Sequence, residues 1–425
     1  MIITKTFRLQ QPGIIKAKVL NWLQQFNTFC FLDSNQYESR EKNHEILIGA
    51  GVRREFKSSE SNALEELQKF IGQKKCWLFG HLAYGLQTFE HFKMEENEDR
   101  LLFGDTCFFE PEIVINIKEN EILITAKNPD EIIDQIEQTA PKTRKRNNKN
   151  FSINNKISRN EYISIIKKLQ EHIHRGDCYE INFCQEFFAK NVTIDPFTLY
   201  ENLNKISPNP FSALYRISDK WLICASPERF LQKKGNKIIS QPIKGTLPRK
   251  TKSDEGLKDE QQQLLNSAKE KAENVMVVDL VRNDLSRVCK QGSVKVDELF
   301  GVYSFPQVHQ MISTVGGELN ADATFKDIIN ATFPMGSMTG APKFRVMQLI
   351  AEYEKSHRGI FSGTVGYMNP DGDFDFNVVI RSIMYNQSTK YLSFQAGSGI
   401  TIYADPEKEW EECLLKARAI KQVLS

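Results

Sequence analysis

Short strand-like segments recur along the whole chain, and this alternation restricts its possible folds more than any other feature. In the second half, apolar and polar residues alternate in "CYEINFCQEFFA" and "SALYRI", which predicts strands. "WLICAS" is a more continuous apolar run, and "YLSFQAGSGITIY" is predicted to be a strand pair. "GTVGYMNPDGDFDFNVVIRSIMY" predicts a hairpin whose two strands are joined by a Pro-Asp-Gly turn. These segments predict an α+β fold with large mixed or antiparallel sheets and helices outside them.

The clearest helices are marked by signals at their ends. "SRNEYISIIKKLQEHIHRGD" begins with Ser158 as N-cap and Glu161 three residues on, which is a capping box, and continues with apolar residues at helical spacing. A long helical tract is predicted from about 258 to 287. The last helix is predicted to begin at Asp405, which is followed by a proline.

The chain has 425 residues, which exceeds the usual size of a single domain. Residues 141–157 are basic, rich in asparagine and almost without apolar side chains, so they predict an exposed linker. We therefore expect an N-terminal subdomain over residues 1–140 that packs on a main domain over residues 158–425.

Charge and composition exclude several classes of partner. The net charge is only +2, and the basic linker has no interleaved aromatic residues, so we expect no nucleic acid and no general attraction to anionic membranes. The longest apolar runs are too short to span a bilayer and the start lacks an apolar signal core, which predicts a cytoplasmic protein. The eight cysteines show no CxxC spacing and are expected to be reduced and mostly buried.

Three glutamates are candidates for a cation site. Glu409 and Glu412 share one face of the last predicted helix, where they form either an exposed acidic face or a pair bridged by a cation. Glu273 lies at the edge of an apolar tract, where a carboxylate either pairs with a base or binds a metal. Because no histidine or cysteine accompanies them, these oxygen donors favour Mg²⁺ over zinc.

Two glycine-containing segments are candidates for ligand contact. Residues 333–350 place Ser337 and Thr339 in a loop before a helix, and this loop either presents N–H groups to an anion or is an ordinary connection. "GSG", which ends at Gly399, permits close approach of a ligand to the backbone.

Three polar side chains stand out against their neighbours. Arg381 lies in an apolar strand-like run, where it needs an anionic partner. His309 lies in another such run, where it is either a core residue or a functional one. Lys244 in "QPIKGT" is either a lysine that reaches solvent from a strand end or a residue that faces a site.

Together, these segments resemble the chorismate-utilising enzymes, which include anthranilate synthase component I, aminodeoxychorismate synthase component I, and the isochorismate and salicylate synthases. The resemblance extends from about residue 160 to the C-terminus, and the matching motifs follow the family's order: "GDCYEINFCQEF", "SPERFL", "QPIKGT", "ENVMVVDLVRNDL", "VHQMISTVGGEL", "FPMGSMTGAPK", "GTVGYM", "VVIRS", "AGSGI" and "DPEKEWEECLLKA". The first third is similar only through "FLDS" and "FGHLAYGL". The resemblance implies a layered fold of two packed β-sheets flanked by helices.

The resemblance also implies roles for residues at matching positions. Glu273 and Glu412 match ligands of Mg²⁺, with Glu409 close by, and the ion would bridge them to the ring carboxylate of chorismate. The implied substrate-binding groups are Arg381, the Gly399 backbone, Ser337, Thr339 and Lys416. His309 matches the acid that helps the C4 hydroxyl leave, and Glu228 of "SPERFL" matches a second proton-handling carboxyl group.

Lys244 indicates which subgroup the chain resembles. "PIKGT" is the pattern of aminodeoxychorismate synthases, in which the lysine amine attacks C2 of chorismate as the C4 hydroxyl departs, and ammonia then attacks C4 and expels the lysine. Anthranilate synthases have alanine or methionine at this position, and isochorismate and salicylate synthases need a lysine base where this chain has Glu180. For Lys244 to act as a nucleophile, burial or a nearby cation must lower its pKa from ~10.4.

The implied activity is the synthesis of 4-amino-4-deoxychorismate from chorismate and ammonia, for p-aminobenzoate and folate. The chain has no G-x-C-x-G motif, so a separate glutamine amidotransferase subunit is the implied source of ammonia. The alternatives are anthranilate synthase component I and a non-catalytic chorismate-binding regulatory subunit. Phe361 and Glu180 depart from the family's usual tyrosine and glutamine, and "FLDS" either belongs to a tryptophan pocket or, because of its aspartate, is a structural strand.

Overall fold

The computed structural model describes residues 1–37, 44–86, 97–141, 151–249, 254–305 and 308–425. Its helices are α1 (Pro12–Trp22), α2 (Ala63–Gly72), α3 (Pro129–Gln138), α4 (Arg159–His174), α5 (Pro196–Ile206), α6 (Asp254–Asn266), α7 (Ala268–Ser286), α8 (Phe325–Thr332), α9 (Lys343–Tyr353) and α10 (Pro406–Leu424). Its strands are β1 (Ile3–Arg8), β2 (Thr28–Asp33), β3 (Ile46–Ala50), β4 (Arg54–Ser58), β5 (Leu78–Leu82), β6 (Thr106–Glu110), β7 (Ile113–Lys118), β8 (Glu121–Ala126), β9 (Asn154–Asn155), β10 (Glu180–Ala189), β11 (Phe211–Ile217), β12 (Lys220–Ser226), β13 (Arg229–Lys234), β14 (Lys237–Gln241), β15 (Ile243–Pro248), β16 (Lys295–Ser304), β17 (Val308–Glu318), β18 (Gly340–Ala341), β19 (Thr364–Met368), β20 (Phe374–Asn377), β21 (Ser382–Asn386) and β22 (Tyr391–Ile400).

Two antiparallel sheets form the centre of the fold. The larger sheet has the order β1-β8-β7-β3-β2-β11-β12-β21-β22-β10-β18, with β9 paired to β10. The smaller sheet has the order β15-β17-β14-β13-β20-β19-β5-β6-β4, with β16 paired to β17. Helices flank both sheets, so the predicted layered α+β fold is confirmed.

The side chains of β2 show how the sheets bury two apolar cores. Phe29 and Phe31 pack in a cluster that includes residues of α4, α5 and α10, whereas Cys30 and Leu32 pack in a cluster that joins the two sheets. Successive side chains of a strand point to opposite faces, so the central residues of this strand, 29–32, are apolar on both faces.

Both sheets combine strands from before and after the predicted linker. In the larger sheet β2 pairs with β11, and in the smaller sheet β5 pairs with β19. The division into residues 1–140 and 158–425 stays a prediction, and residues 142–150 of the predicted linker lie outside the described residues.

The helix signals read from the sequence agree with the structure at most positions. The Ser158 side chain accepts a hydrogen bond from the Glu161 N–H at the start of α4, and Asp405 caps α10 in the same way. The helical tract predicted from about 258 to 287 is confirmed, and it consists of two helices, α6 and α7, with Ser267 as the N-cap of the second.

The chain passes between the two sheets at two points that border the candidate site. β12 belongs to the larger sheet and β13 to the smaller one, and Glu228 lies in their connection. β20 forms the predicted hairpin with β19, but the second strand then breaks and β21 joins the other sheet. Arg381 lies just before β21 with a φ of 53°, so the prediction that it lies within a strand is wrong.

The environment of the cysteines also agrees with the prediction. All eight carry free thiols and seven are buried. Burial raises the pKa of the Cys224 thiol to about 11, so this thiol stays protonated at neutral pH. No helix in the described part of the chain combines the length and apolar character needed to cross a bilayer.

Candidate active site

Lys244 takes its position from a bulge in β15. The register between β15 and β17 shifts between Ile243 and Thr246, so Lys244 and Gly245 lie in an irregular segment of the strand. Gly245 has a φ of 98°, and a Cβ there would lie 3.2 Å from the Met311 Cβ, so the position favours glycine. A bulge changes the direction of the side chain that it contains, and here it directs the lysine.

The Lys244 side chain is largely buried against the larger sheet. Its Nζ donates a hydrogen bond to Oε1 of Glu180, the first residue of β10. A Cβ added at Gly399 of β22 would lie 2.5 Å from that oxygen and 2.8 Å from Nζ, so glycine leaves room for the pair. Asn274 of α7 donates from Nδ2 to the Lys244 carbonyl oxygen at 3.3 Å, which fixes the backbone beside the amine.

The charge of Lys244 differs from the expectation drawn from the sequence. Burial acts to lower its pKa, but Glu180, Glu273 and Glu412 outweigh that effect and raise it above its ordinary value. The expected net lowering is therefore wrong for this arrangement. Lys244 is an ammonium here, and it becomes a nucleophile only after it transfers a proton.

Glu228 is a buried carboxyl group close to this lysine. Burial raises its pKa to about 7, although the Ser337 hydroxyl and the charge of Lys244 act in the opposite direction. A carboxyl group with this pKa is partly protonated at neutral pH and can donate a proton to a departing group. Its environment therefore suits the proton-handling role that the resemblance implies.

Two of the three glutamates predicted to bind a metal lie on either side of a lysine. Oε1 of Glu273 on α7 is 3.7 Å from Nζ of Lys269, and Oε1 of Glu409 on α10 is 3.6 Å from the same nitrogen. Burial raises the pKa of Glu273 to about 7 and also raises that of Glu409. Sequence reasoning missed Lys269, although its i,i+4 spacing from Glu273 was an available signal.

The carboxylate oxygens in this region are chemically suited to bind a divalent cation. Oε1 of Glu273 is buried and has no hydrogen-bond partner among the described residues, and a bound cation would satisfy it. Within the described ranges, however, no three Asp, Glu, His or Cys side chains converge closely enough to enclose a metal ion. Lys269 supplies the positive charge between Glu273 and Glu409 in this arrangement.

Glu412 belongs to a second group of charges, where α10 meets β22. Nζ of Lys416 lies 2.8 Å from Oε1 of Glu412 and donates to the Gly397 carbonyl oxygen at 2.9 Å. The Lys416 ammonium lowers the pKa of Glu412 to about 2. Nη1 of Arg381 donates to the Lys416 carbonyl oxygen at 2.8 Å, and burial lowers the pKa of this guanidinium to about 10. Arg381 forms no ion pair with any described residue, which leaves its charge available to an anionic ligand.

The loop before α9 holds Ser337 and Thr339, and both are buried. The Thr339 hydroxyl donates to the Met335 carbonyl oxygen at 3.1 Å, and the Thr339 N–H donates to the Gly336 carbonyl oxygen at 3.2 Å. These two donors are engaged within the loop, so they do not form the open N–H cradle that the sequence allowed.

A buried ion pair that sequence reasoning missed supports this loop. Nη2 of Arg358 lies 2.6 Å from Oε1 of Glu354, and Nη1 donates to the Met338 carbonyl oxygen at 2.7 Å. The same guanidinium donates to the Asn182 carbonyl oxygen at 2.8 Å, while Glu354 accepts from the Cys184 N–H at 2.8 Å. The pair thus joins the loop to β10, the strand that carries Glu180.

His309 is buried in β17, and both of its ring nitrogens have partners. Nδ1 lies 2.8 Å from Oγ of Ser304, and Nε2 lies 3.1 Å from Oε2 of Glu260 on α6. The residue is in register with Leu247 of β15, the strand that carries Lys244. His309 can therefore act on a substrate only if it exchanges one of these partners.

The "FLDS" segment and Phe361 are the remaining positions that the sequence singled out. "FLDS" forms the end of β2, where Asp33 pairs with Lys16. A cavity at this end is lined by residues that include Asp33, Ser34, Phe211, Ser212, Arg229 and Asp375. Phe361 is buried in the core that joins the two sheets.

Comparisons with known proteins agree with this architecture. The sequence model of the family described as chorismate binding enzyme matches residues 27–422. "Aminodeoxychorismate synthase component 1" of Klebsiella aerogenes is 40% identical over 264 residues, which are 62% of this chain and 58% of that protein. The match therefore spans less than two thirds of that relative's length.

Two further comparisons cover more of the chain. The "Anthranilate synthase component I-like protein" of Synechocystis sp. is 32% identical over 363 residues, which are 84% of this chain and 73% of that protein. The crystal structure of anthranilate synthase component I from Streptococcus pneumoniae TIGR4 has a TM-score of 0.79 at 25% identity, with 92% of this chain and 96% of that chain covered. The two sheets and their flanking helices are thus shared with that structure.

Proposed function

This chain belongs to the chorismate-binding enzymes, and we propose that it catalyses the reaction of aminodeoxychorismate synthase component I. This reaction converts chorismate and ammonia to 4-amino-4-deoxychorismate through a covalent adduct on a lysine. The product serves p-aminobenzoate and folate synthesis, and a separate glutamine amidotransferase subunit supplies the ammonia. The similarity to relatives named aminodeoxychorismate synthase component 1 supports this assignment.

The placement of Lys244 is the observation that carries the proposal. Its amine is buried, its backbone is fixed by Asn274, and Gly399 leaves space beside it. Glu273 of α7 and Glu412 of α10 also raise the pKa of this amine, so their charges act on it from two helices. An amine in such a position can be held within bonding distance of a bound ring, which is the requirement for a covalent step.

The residues of this chain can perform each step of two successive displacements. Lys244 loses a proton, and its nitrogen forms a bond to C2 of chorismate as the C4–O bond breaks. Glu228 donates its proton to the departing oxygen, which leaves as water. Ammonia then forms the C4–N bond while the C2–N bond to Lys244 breaks, so the new nitrogen remains at C4.

Chorismate is held through its carboxylates. Arg381 and the Gly399 backbone bind one carboxylate, because the guanidinium is charged and forms no ion pair within the described residues. Glu273 and Glu412 would hold Mg²⁺, with Glu409 nearby, and the bound ion would neutralise the ring carboxylate.

Four further residues complete the proposed substrate and proton contacts. Lys416 contributes a second positive charge, and Ser337 and Thr339 form the loop wall. His309 is a second candidate for proton donation, which requires that it first give up its contact with Glu260.

Product analysis tests the proposal directly. The protein is incubated with chorismate, Mg²⁺ and ammonium ions, and an aminodeoxychorismate lyase is then added to half of the sample. We expect p-aminobenzoate only where lyase is present. Lys244→Met should abolish its formation, whereas Lys290→Met, which removes one positive charge from an exposed ion pair outside the site, should retain it. Anthranilate as the sole product would contradict the proposal, and neither product would indicate a binding role without catalysis.

Anthranilate synthase component I is the second candidate function. The observation that favours it is the similarity to the Synechocystis protein named anthranilate synthase component I-like, which extends over 84% of this chain. The same incubation separates the two candidates, because anthranilate forms without lyase.

A further inference from the structure

Glu180 is the carboxylate in direct contact with the Lys244 amine. The Glu180 side chain is buried, with 3% exposed, and the Lys244 side chain is largely buried, with 13% exposed. β10 holds Glu180 in place from both sides, because Glu180 pairs with Ala341 and the next residue, Ile181, pairs with Ile400. Strand pairing fixes the backbone at Glu180 and the Asn274 hydrogen bond fixes it at Lys244, so this ion pair has little freedom to exchange partners.

Other charged groups face this pair without forming a hydrogen bond to the amine. They come from the β12–β13 connection, from α7 and from α10, and they are Glu228, Glu270, Glu273 and Glu412. Within the described part of the chain, Glu180 alone accepts a hydrogen bond from Nζ. It is therefore the acceptor that a proton can reach without a relay.

We infer that Glu180 accepts the proton that Lys244 must lose before it attacks chorismate. The inference rests on the proposed function, because it assigns the base for the covalent step. The Nζ–H bond breaks and an Oε1–H bond forms on Glu180, which leaves a neutral amine with its lone pair. That lone pair forms the N–C2 bond while the C4–O bond breaks and Glu228 protonates the departing oxygen.

The second displacement restores the ion pair of Lys244 and Glu180. Ammonia forms the C4–N bond, and the C2–N bond breaks so that its electrons return to Nζ of Lys244. The proton on Glu180 then returns to Nζ, and solvent reprotonates Glu228. The cycle consumes one chorismate, one ammonia and one proton, and it yields 4-amino-4-deoxychorismate in its ammonium form and one water.

A glutamine at position 180 could hold the lysine but could not take its proton. The amide oxygen of glutamine accepts a hydrogen bond, whereas it is not a base at neutral pH. The substitution Glu180→Gln thus removes the proton acceptor and keeps a hydrogen-bond acceptor that can position Lys244. This matters because a buried ion pair can also be purely structural.

Proton acceptance by Glu180 and a purely structural role for the ion pair differ in how the rate of adduct formation depends on pH. While the pair shares one proton, the fraction present as neutral amine and carboxylic acid is independent of pH. With glutamine at position 180 the amine must lose its proton to solvent, so the reactive fraction rises about tenfold per pH unit below the lysine's own pKa.

The experiment measures adduct formation on the full chain with ammonia withheld. Chorismate and Mg²⁺ are mixed with natural protein or with Glu180→Gln between about pH 6 and about pH 8, and the adduct is quantified by mass spectrometry after rapid quenching. The ratio of the two rates is used, because groups common to both proteins, such as Glu228, cancel in it. Glu270→Gln is the matched control, since it removes a nearby carboxylate that does not contact Nζ.

We expect the ratio of Glu180→Gln to natural protein to rise about tenfold per pH unit, and the ratio for Glu270→Gln to stay constant. Glu180→Asp, which retains a base, should be slower than natural protein with a constant ratio, and it provides the test if Glu180→Gln does not fold. A constant ratio for Glu180→Gln, or a rising ratio for Glu180→Asp, would overturn the role of Glu180 alone. If natural protein forms no adduct at any pH, the lysine chemistry of the proposed function fails and this inference fails with it.

Discussion

The protonation of Glu228 controls how the rate depends on pH. Burial raises the pKa of this carboxyl group from 4.5 to about 7. Since one pH unit corresponds to about 1.4 kcal/mol, ionisation of Glu228 costs about 3 kcal/mol more in the folded protein than in water. The protonated form, which is the proton donor, is about nine tenths populated at pH 6 and about one tenth populated at pH 8. The rate of C4–O cleavage should therefore fall about ninefold to tenfold between these pH values.

The sign of the effect on stability follows from the same pKa. Because the folded-state pKa lies above 4.5, the stabilising contribution of protonated Glu228 is complete below that pH and is lost as the pH rises through about 7. The loss reaches about 3 kcal/mol in the free energy of unfolding.

The assay couples product formation to an excess of lyase at saturating chorismate and constant free ammonia. Glu228→Gln should lower the rate by about a hundredfold to ten-thousandfold, and the residual rate should no longer fall around pH 7. Glu270→Gln serves as the matched control, because burial also raises the pKa of that carboxyl group. A natural rate that is equal at about pH 6 and about pH 8, or full activity in Glu228→Gln, would refute this reasoning.

Three substitutions test other parts of the structure. Gly399→Ala places a Cβ 2.5 Å from Oε1 of Glu180 and 2.8 Å from Nζ of Lys244, and it should slow adduct formation by about tenfold or more, whereas an unchanged rate would contradict the close approach. Arg358→Met leaves a buried carboxylate unpaired and should lower the free energy of unfolding by about 3 to 5 kcal/mol in urea denaturation, and a loss below about 1 kcal/mol would count against the buried network. Glu273→Gln should raise the Mg²⁺ concentration needed for half-maximal activity by about tenfold or more, and an unchanged Mg²⁺ titration would argue against this ligand.

Features that depend on neighbouring residues were predictable from the sequence. The start of α4 at Ser158 and of α10 at Asp405 follows from side chains that cap the adjacent turn. The hairpin of β19 and β20 follows from its Pro-Asp-Gly turn. The layered fold followed from motifs that match a known family as well as from these local signals.

Features that depend on distant partners were not predictable in this way. The alternation before Arg381 does not reveal that β20 and β21 belong to different sheets, because both sheets bury apolar side chains on each face. The direction of Lys244 depends on its register with β17, and its charge depends on Glu180 in another sheet. Burial alone predicts a lowered lysine pKa, and only the packed structure shows that carboxylates outweigh it.

The covalent adduct on Lys244 is the central claim, and peptide mass spectrometry tests it most directly. The protein is mixed with chorismate and Mg²⁺ while ammonia is withheld, quenched during turnover and digested. We expect the peptide that contains Lys244 to gain the mass of chorismate minus one water, and the gain to disappear when ammonia is supplied or in Lys244→Met. A Lys244 peptide that stays unmodified while the same protein makes 4-amino-4-deoxychorismate from ammonia would contradict the account.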